Sequence, residues 1–254
     1  MKRALLTLVL LAAAVLPGCG GDSSSSNDHP ALVVSAASSL RNAFADYAQQ
    51  VQDAKVRLSF GGSDELAAQV RGGSPIDVFA AANAKLPDQL HQEGKVEKPV
   101  KFTGNRLVLA VPKDSQRVNQ LSDLVKPGVK IGIGAPDVPI GTYTREVLSG
   151  LPAIGRNRIL ANVKSQEPDV AGIVGKLTQG AVDAGFVYVT DVDAASDKLR
   201  AINLPAKISP TVVYEAAVVK GTKHPQQAKA FIDGLTAGKG QGALRKAGFL
   251  PPPQ

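Results

Sequence analysis

Apolar and polar positions alternate in short blocks along most of the chain. Runs such as "ALVVSA" (31–36), "KVRLSF" (55–60), "PIDVFAAA" (75–82), "RLVLAVPK" (106–113), "VKIGIGAP" (129–136), "DAGFVYV" (183–189) and "PTVVYEAAVVKG" (210–221) have the length and composition of strands. Between them lie segments whose apolar residues fall three and four apart. Leu40, Phe44, Tyr47 and Val51 share one helix face, with the helix predicted from Leu40 to about Gln52. "SDELAAQVRGG", "LPDQLHQEG", "TYTREVLSGL" and "DVAGIVGKLTQG" also read as helices, several stopping on glycine. Two more, "PQQAKAFIDGL" and "QGALRKAG", close the chain. Strand and helix in alternation predict an α/β fold with parallel strands. Two long strand patterns, at 105–112 and 211–220, bracket a stretch of α/β sequence. That bracketing fits two lobes linked by paired crossover strands, with one continuous doubly wound sheet as the alternative. No internal repeat of fixed period is present.

The joins between strands and helices are unusual. In "VVSAASSLRNAF" (33–44) the apolar run gives way to Ala36, Ala37, Ser38 and Ser39 before the helix starts. "LSFGGSDEL" repeats the plan with Gly61, Gly62 and Ser63, and "GAPDVPIGTYTREVL" does so through Pro139-Ile140-Gly141. In "QEPDVAGIVGKL", Pro168 and Asp169 precede a helix with Val170 in its first turn. A helix start leaves backbone N–H groups unpaired and carries the positive end of a dipole, so it receives oxyanions. Glycines beside it allow close approach. Each feature alone has an ordinary reading: Ser39 or Ser63 as a helix cap, Ile140 and Val170 as turn or core residues, Tyr188 as a buried strand aromatic. The functional reading rests on the set.

The first residues are set apart from the fold. Lys2 and Arg3, the apolar "ALLTLVLLAAAVL" and "LPGC" at 16–19 read as a secretory signal over 1–18, too short to span a bilayer comfortably. "LPGC" resembles the lipobox of bacterial lipoproteins, which implies lipidation of Cys19, the one cysteine of the chain. Residues 19–30, "CGGDSSSSND" and its sequel, then form a flexible tether, and no internal disulfide is available. The formal charge of +7 falls to +5 once Lys2 and Arg3 leave with the signal. Its cations are scattered and aromatics are 4% of residues, which excludes a nucleic-acid footprint and leaves solubility and mild attraction for anions.

"SAASSLRNAF", "FGGSDELAAQVRGGSPIDVFAAAN", "GAPDVPIGTYTREVL", "EPDVAGIVGKL" and "DAGFVYVTDV" stand in the order and approximate spacing of the molybdate-binding proteins of bacterial ABC importers (ModA type). "KAFIDGLTAGKGQGALRKAGF" resembles that family's closing helices, so the resemblance spans about Ala31 to Phe249. It implies a two-lobed periplasmic-binding-protein fold of type II, each lobe a mixed sheet flanked by helices, joined by two crossover strands. The implied division is 31–108 and 216–254 for the first lobe and 109–215 for the second. By position, Ser39 (with Ser38 adjacent if the register slips) and Ser63 would give hydroxyls to the oxyanion. Ile140 and Val170 would give backbone N–H groups, and Tyr188 its phenolic O–H. The molybdenum would be held through its oxo groups, with no metal directly coordinated, no cofactor and no catalytic residue. Implied partners are molybdate or tungstate and an importer permease with its cytoplasmic ATPase, for a monomer touching the membrane through lipid alone. The chain departs from the common pattern at Gly61-Gly62, where further small hydroxyl residues are usual, and at Ile140, where alanine is frequent; both bear on pocket size.

The rival readings are weaker on the residues. "GGSDE" is no nucleophile elbow, since Glu65 replaces the second glycine, which leaves a serine hydrolase-like lipoprotein without its motif. "GLTAGKG" lacks P-loop spacing, "GIGAP" is no dinucleotide fingerprint, and His29, His91 and His224 are isolated. Carriers of sulfate or phosphate remain alternatives. A ferric-iron carrier commonly needs clustered tyrosines and acids, whereas Tyr143 and Tyr188 are far apart in sequence.

Overall fold

A computed structural model describes residues 29–253 of the chain. The signal, Cys19 and the tether as far as Asp28 lie outside the described residues. Within them the chain runs β1 (Ala31–Ala37), a 3-10 turn (Ser38–Leu40), α1 (Arg41–Ala48), β2 (Lys55–Gly61), α2 (Ser63–Arg71), β3 (Val78–Ala81), α3 (Lys85–Gln92) and β4 (Val100–Asn105). It continues through β5 (Leu107–Pro112), β6 (Ile131–Gly134), α4 (Pro139–Ser149), α5 (Ala153–Ala161), β7 (Val163–Glu167), α6 (Val170–Thr178), β8 (Ala184–Tyr188), α7 (Val189–Ala194) and β9 (Leu199–Asn203). It ends with β10 (Val212–Val218), α8 (Pro225–Thr236) and α9 (Lys239–Lys246).

Two five-stranded sheets result, ordered β2-β1-β3-β10-β4 and β7-β6-β8-β5-β9. They share one plan. In the first, β1 lies parallel to β2 and β3, while β10 runs antiparallel to β3 and β4. In the second, β6 lies parallel to β7 and β8, while β5 runs antiparallel to β8 and β9. The antiparallel strand of each sheet is the one entered from the other lobe. The protein is therefore a two-lobed α/β fold, and the single-sheet alternative is set aside.

The chain changes sheets between Asn105 and Leu107 and again between Asn203 and Val212, with a 3-10 turn at Ala206–Ile208 on the return. Both changes precede the boundaries expected at 108/109 and 215/216. Each long apolar pattern belongs almost wholly to the lobe being entered, so the joins sit in the short polar stretches before it.

Interior strands are apolar on both faces because helices cover both sides. Every residue of β3 and β8 is buried, and Leu107 to Val111 of β5 are fully so. Edge strands β2, β7 and β9 alternate toward solvent. In the first lobe Phe44 of α1 packs edge-on against Phe231 of α8, with ring centres 5.6 Å apart. Each such buried side chain contributes about 1.5–3 kcal/mol. Past α9 the chain returns to β4: Leu250 pairs with Gly104, and Phe249 packs edge-on to Tyr214 at 5.5 Å.

Candidate functional site

The corresponding strands of the two sheets aim their C-terminal ends at each other. β1 and β2 of the first lobe release the chain at Ser38 and Gly62; β6 and β7 of the second release it toward Val138 and Pro168; β8 ends at Tyr188. These ends enclose one cavity lined by Ser38, Ser39, Gly62, Ser63, Ala82, Ile140, Pro168, Asp169, Val170 and Tyr188. About 20 Å³ of it is open to the centre of a water molecule. In this conformation that volume is on the scale of one small ion. All of Ser38, Ser39, Ser63, Ile140, Val170 and Tyr188 thus meet around one space, although they are scattered over 150 positions of sequence.

Neither serine is a helix cap. The N-cap of α2 is Gly62, no side chain caps that helix, and Ser63 is its first residue. Ser63 is buried, and its Oγ accepts a hydrogen bond from the Ala82 N–H at 3.2 Å. With that lone pair engaged, the hydroxyl proton is left to donate elsewhere. Ser39 sits inside the 3-10 turn, again without a side-chain cap. Its Oγ lies 2.9 Å from Tyr214 Oη, which also accepts from Asn105 Nδ2 at 3.4 Å. When the tyrosine donates to Ser39, the serine proton is likewise free. Tyr214 and Asn105 were not legible in the sequence, because Tyr214 stands behind Ser39 and Asn105 behind Tyr214.

The second lobe brings two helix starts to the cavity. Val170 is the first residue of α6, and Ile140 is the second of α4, behind Pro139. Residues so placed have no intrahelical partner for their N–H. Asp169 caps α6 by accepting from Gly172 N at 2.9 Å. The α4 turn folds back so tightly that a Cβ on Gly141 would fall 1.7 Å from the Ala135 carbonyl oxygen. Only glycine permits it. Arg145 ties the same turn down, its Nη1 donating to the carbonyls of Gly134 and Gly141 at 3.0 Å.

Tyr188 is the most exacting member. It is 1% exposed, and its hydroxyl makes no well-formed hydrogen bond to the protein, with only the Tyr214 phenol as a neighbouring hydroxyl. Such a buried group costs about 1–3 kcal/mol unless something in the cavity receives its proton. Burial, reinforced by the neighbouring Tyr214 and Tyr143, pushes its hydroxyl well above the usual tyrosine range, so it is a donor and not a phenolate. Its ring stands edge-on between Tyr214 (5.9 Å) and Tyr143 (6.5 Å). Sequence separation was therefore a poor argument against a tyrosine cluster, since folding builds one. Only Tyr188 of the three lines the cavity, however; Tyr143 Oη instead accepts from Val213 N at 3.4 Å.

No lysine, arginine or histidine lines this cavity. A wider groove of about 490 Å³ adjoins it through Ser38 and Ser39 and carries Arg41 and Lys246. There Lys246 pairs with Asp46 at 2.9 Å, and Arg41 stacks on the Phe60 ring at 4.5 Å. Asp191 also faces the groove, and its Oδ2 accepts from Tyr188 N at 2.9 Å. Burial, opposed by that bond and aided by the nearby Asp169, pushes the Asp191 carboxyl up to about 7. The arrangement can hold a small anion by neutral donors and helix ends. It offers no histidine beside either serine to act as a base.

Residues 32–250 match the family model described as bacterial extracellular solute-binding protein. The chain is 32% identical to the molybdate-binding protein ModA of Mycobacterium tuberculosis (strain ATCC 25618 / H37Rv), covering 99% of this chain and 98% of the relative. Among solved structures it resembles the periplasmic molybdate-binding protein of Azotobacter vinelandii (TM-score 0.77, 24% identity, 87% of this chain and 100% of the other). It superposes equally well on the sulfate-binding protein SubI of M. tuberculosis H37Rv (TM-score 0.77, 18% identity, 88% and 87% covered). At these identities the two structures speak for the fold alone.

Proposed function

Because the chain belongs to the bacterial extracellular solute-binding proteins, whose members are carriers and not enzymes, we propose that it captures molybdate, and tungstate with it, for an ABC importer. The observation that carries this reading is the cavity itself: small, free of cationic side chains, and lined by a buried tyrosine hydroxyl that makes no well-formed hydrogen bond to the protein. Ser39 and Ser63 donate hydroxyl protons from the first lobe. Ile140 and Val170 donate backbone N–H groups from the second, and Tyr188 supplies its phenol. Each hydrogen bond to the dianion contributes about 1.5–3 kcal/mol, which offsets the loss of water from the ion. The positive ends of α2, α4 and α6 add to this without a full charge.

Donor chemistry also selects. Ser63 Oγ and Ser39 Oγ are already engaged by Ala82 N and Tyr214 Oη, which leaves the Asp169 carboxylate as the main side-chain acceptor on the wall. A protonated oxyanion such as hydrogen phosphate could pair its own O–H only with that carboxylate, whereas a fully deprotonated anion uses the donors alone. Sulfate has the same charge as molybdate and is smaller, so cavity size must separate them. The likeness of the fold to a sulfate-binding protein keeps sulfate as the second reading.

No described helix is long and apolar enough to cross a membrane. Lipid on Cys19, the last residue of "LPGC", would hold the carrier at the outer face of the cell membrane, within reach of a permease with its cytoplasmic ATPase. Binding as a monomer completes the proposal. Calorimetric titration with molybdate, tungstate, sulfate and phosphate tests it. One-to-one binding of the first two, with sulfate and phosphate far weaker, is the expected result; equal affinity for sulfate would reduce the protein to a general oxyanion carrier.

A further inference from the structure

Gly62 is the residue immediately before Ser63, and it faces the opposite lobe at close range. A Cβ built on it would fall 2.6 Å from the carbonyl oxygen of Pro168, two residues before Val170. Real Cβ atoms do not approach an oxygen so closely. Among the described residues it is the one glycine whose missing side chain is replaced by backbone of the other lobe. Its own backbone does not ask for glycine: φ is −63° and ψ 134°, an extended conformation open to any residue. The glycine is therefore explained by the contact across the cleft and not by local geometry.

Neither side of that contact yields easily. Pro168 is held between Glu167, whose carbonyl accepts from Ala135 N at 2.9 Å, and Asp169, which caps α6. Gly62 starts α2, its carbonyl accepting from Leu66 N at 3.0 Å, while Ser63 is tied to Ala82. What can give is the relative position of the lobes, through the connections at Asn105–Leu107 and 203–212. The other close atom, Asp64 Oδ1 at 2.8 Å, is a buried side-chain oxygen with no hydrogen-bond partner, so rotating it costs no bond.

We propose that Gly62 against the Pro168 carbonyl is the stop on which the two lobes close, and that the absent side chain lets the Ser63 and Val170 donors reach one small oxyanion together. Gly62 is thus a positioning residue, which sets the span between donors of opposite lobes. The inference rests on the reading of the cavity as an oxyanion site.

Gly62→Ala tests it, with Gly72→Ala as control. Gly72, at the other end of α2, has φ −73°, and an added Cβ there meets only its own helix, at 3.4 Å from the Ala68 carbonyl. Three quantities are measured for each protein: melting temperature without ligand, molybdate dissociation rate and affinity, and the fall in radius of gyration on adding molybdate. Gly62→Ala should fold like the parent, bind about 10- to 100-fold more weakly through faster dissociation, and contract less; the factor is that of one weakened bond to a charged group. Gly72→Ala should match the parent in affinity and contraction. Parent-like affinity and contraction in Gly62→Ala overturn the stop while leaving the oxyanion site intact. Loss of the unliganded fold also overturns it, because the clash is then not confined to the closed cleft. A parent protein that neither binds nor contracts with molybdate, tungstate, sulfate or phosphate removes the oxyanion reading, and the stop with it.

Discussion

Ser63 and Tyr188 answer different questions about the same site. Ser63 Oγ is engaged by a buried N–H, so Ser63→Ala removes an internal bond as well as a donor. It should lower unliganded stability by about 1 kcal/mol and molybdate affinity by roughly ten- to more than a hundredfold. Tyr188 Oη makes no well-formed internal hydrogen bond. Tyr188→Phe should therefore leave unliganded stability unchanged or slightly higher, while affinity falls by a similar factor; paired denaturation and titration of both variants check this. At this scale the small residues at the strand-to-helix joins drew notice, but taken singly they read as caps, turn or core residues, and it was the family resemblance that picked out the five that line one cavity. Their supports were not legible. Ala82, Asn105 and Tyr214 act through contacts of long sequence separation, and nothing in their local sequence marks them.

Helix starts are where the fold and the proposed chemistry coincide. Asp169 gives α6 its cap and also places a carboxylate on the cavity wall, where it opposes an incoming dianion. Asn caps as well as Asp does. Asp169→Asn should therefore keep stability within about 0.5 kcal/mol while tightening molybdate binding, most visibly at low salt. Affinity measured at two ionic strengths decides it: unchanged or weaker binding in the variant would show that the charge is not felt at the site. The elements around these starts were read well where apolar periodicity is strong, as in α2 and β8. β4, β7 and β9 escaped notice, along with α5 and α7. β7 is "VKSQE" and β9 "LRAIN", sheet edges with two of five residues exposed in each, so their pairing is set by neighbours rather than by pattern. α5 buries only Ile159 and leaves Ile154 exposed, so no apolar stripe announces it.

At the scale of the whole molecule, two carboxyls link folding to pH. Burial raises Asp191 to about 7, and burial together with Asp88, against Lys101, raises Glu215 to about 7. The folded state then keeps protons that the unfolded chain, with carboxyls near 4, has released. Where the unfolded state binds fewer protons, stability falls as pH rises. The loss should accumulate from about pH 4 to about pH 7 and level off above. Asp123 works the other way: bonds from Lys126 and the Asn119 N–H hold it at about 2, and its contribution disappears only as pH falls below about 4. Urea denaturation between pH 4.5 and 8 should show the decline, and Asp191→Asn and Glu215→Gln should each flatten it. A parent profile that rises over this range would contradict the assignment.

The two-lobed plan is also what makes the proposed site a whole-molecule property, since Ser39 and Ser63 stand in one lobe and Ile140, Val170 and Tyr188 in the other. Titration of molybdate into the parent and into the double variant Ser63→Ala/Tyr188→Phe tests that claim most directly, because it removes one side-chain donor from each lobe and no charge. The account predicts tight one-to-one binding by the parent. It predicts a loss in the double variant of at least a hundredfold, from two bonds to a charged group at about 1.5–3 kcal/mol each. A double variant that stays folded and binds molybdate as the parent does would contradict it.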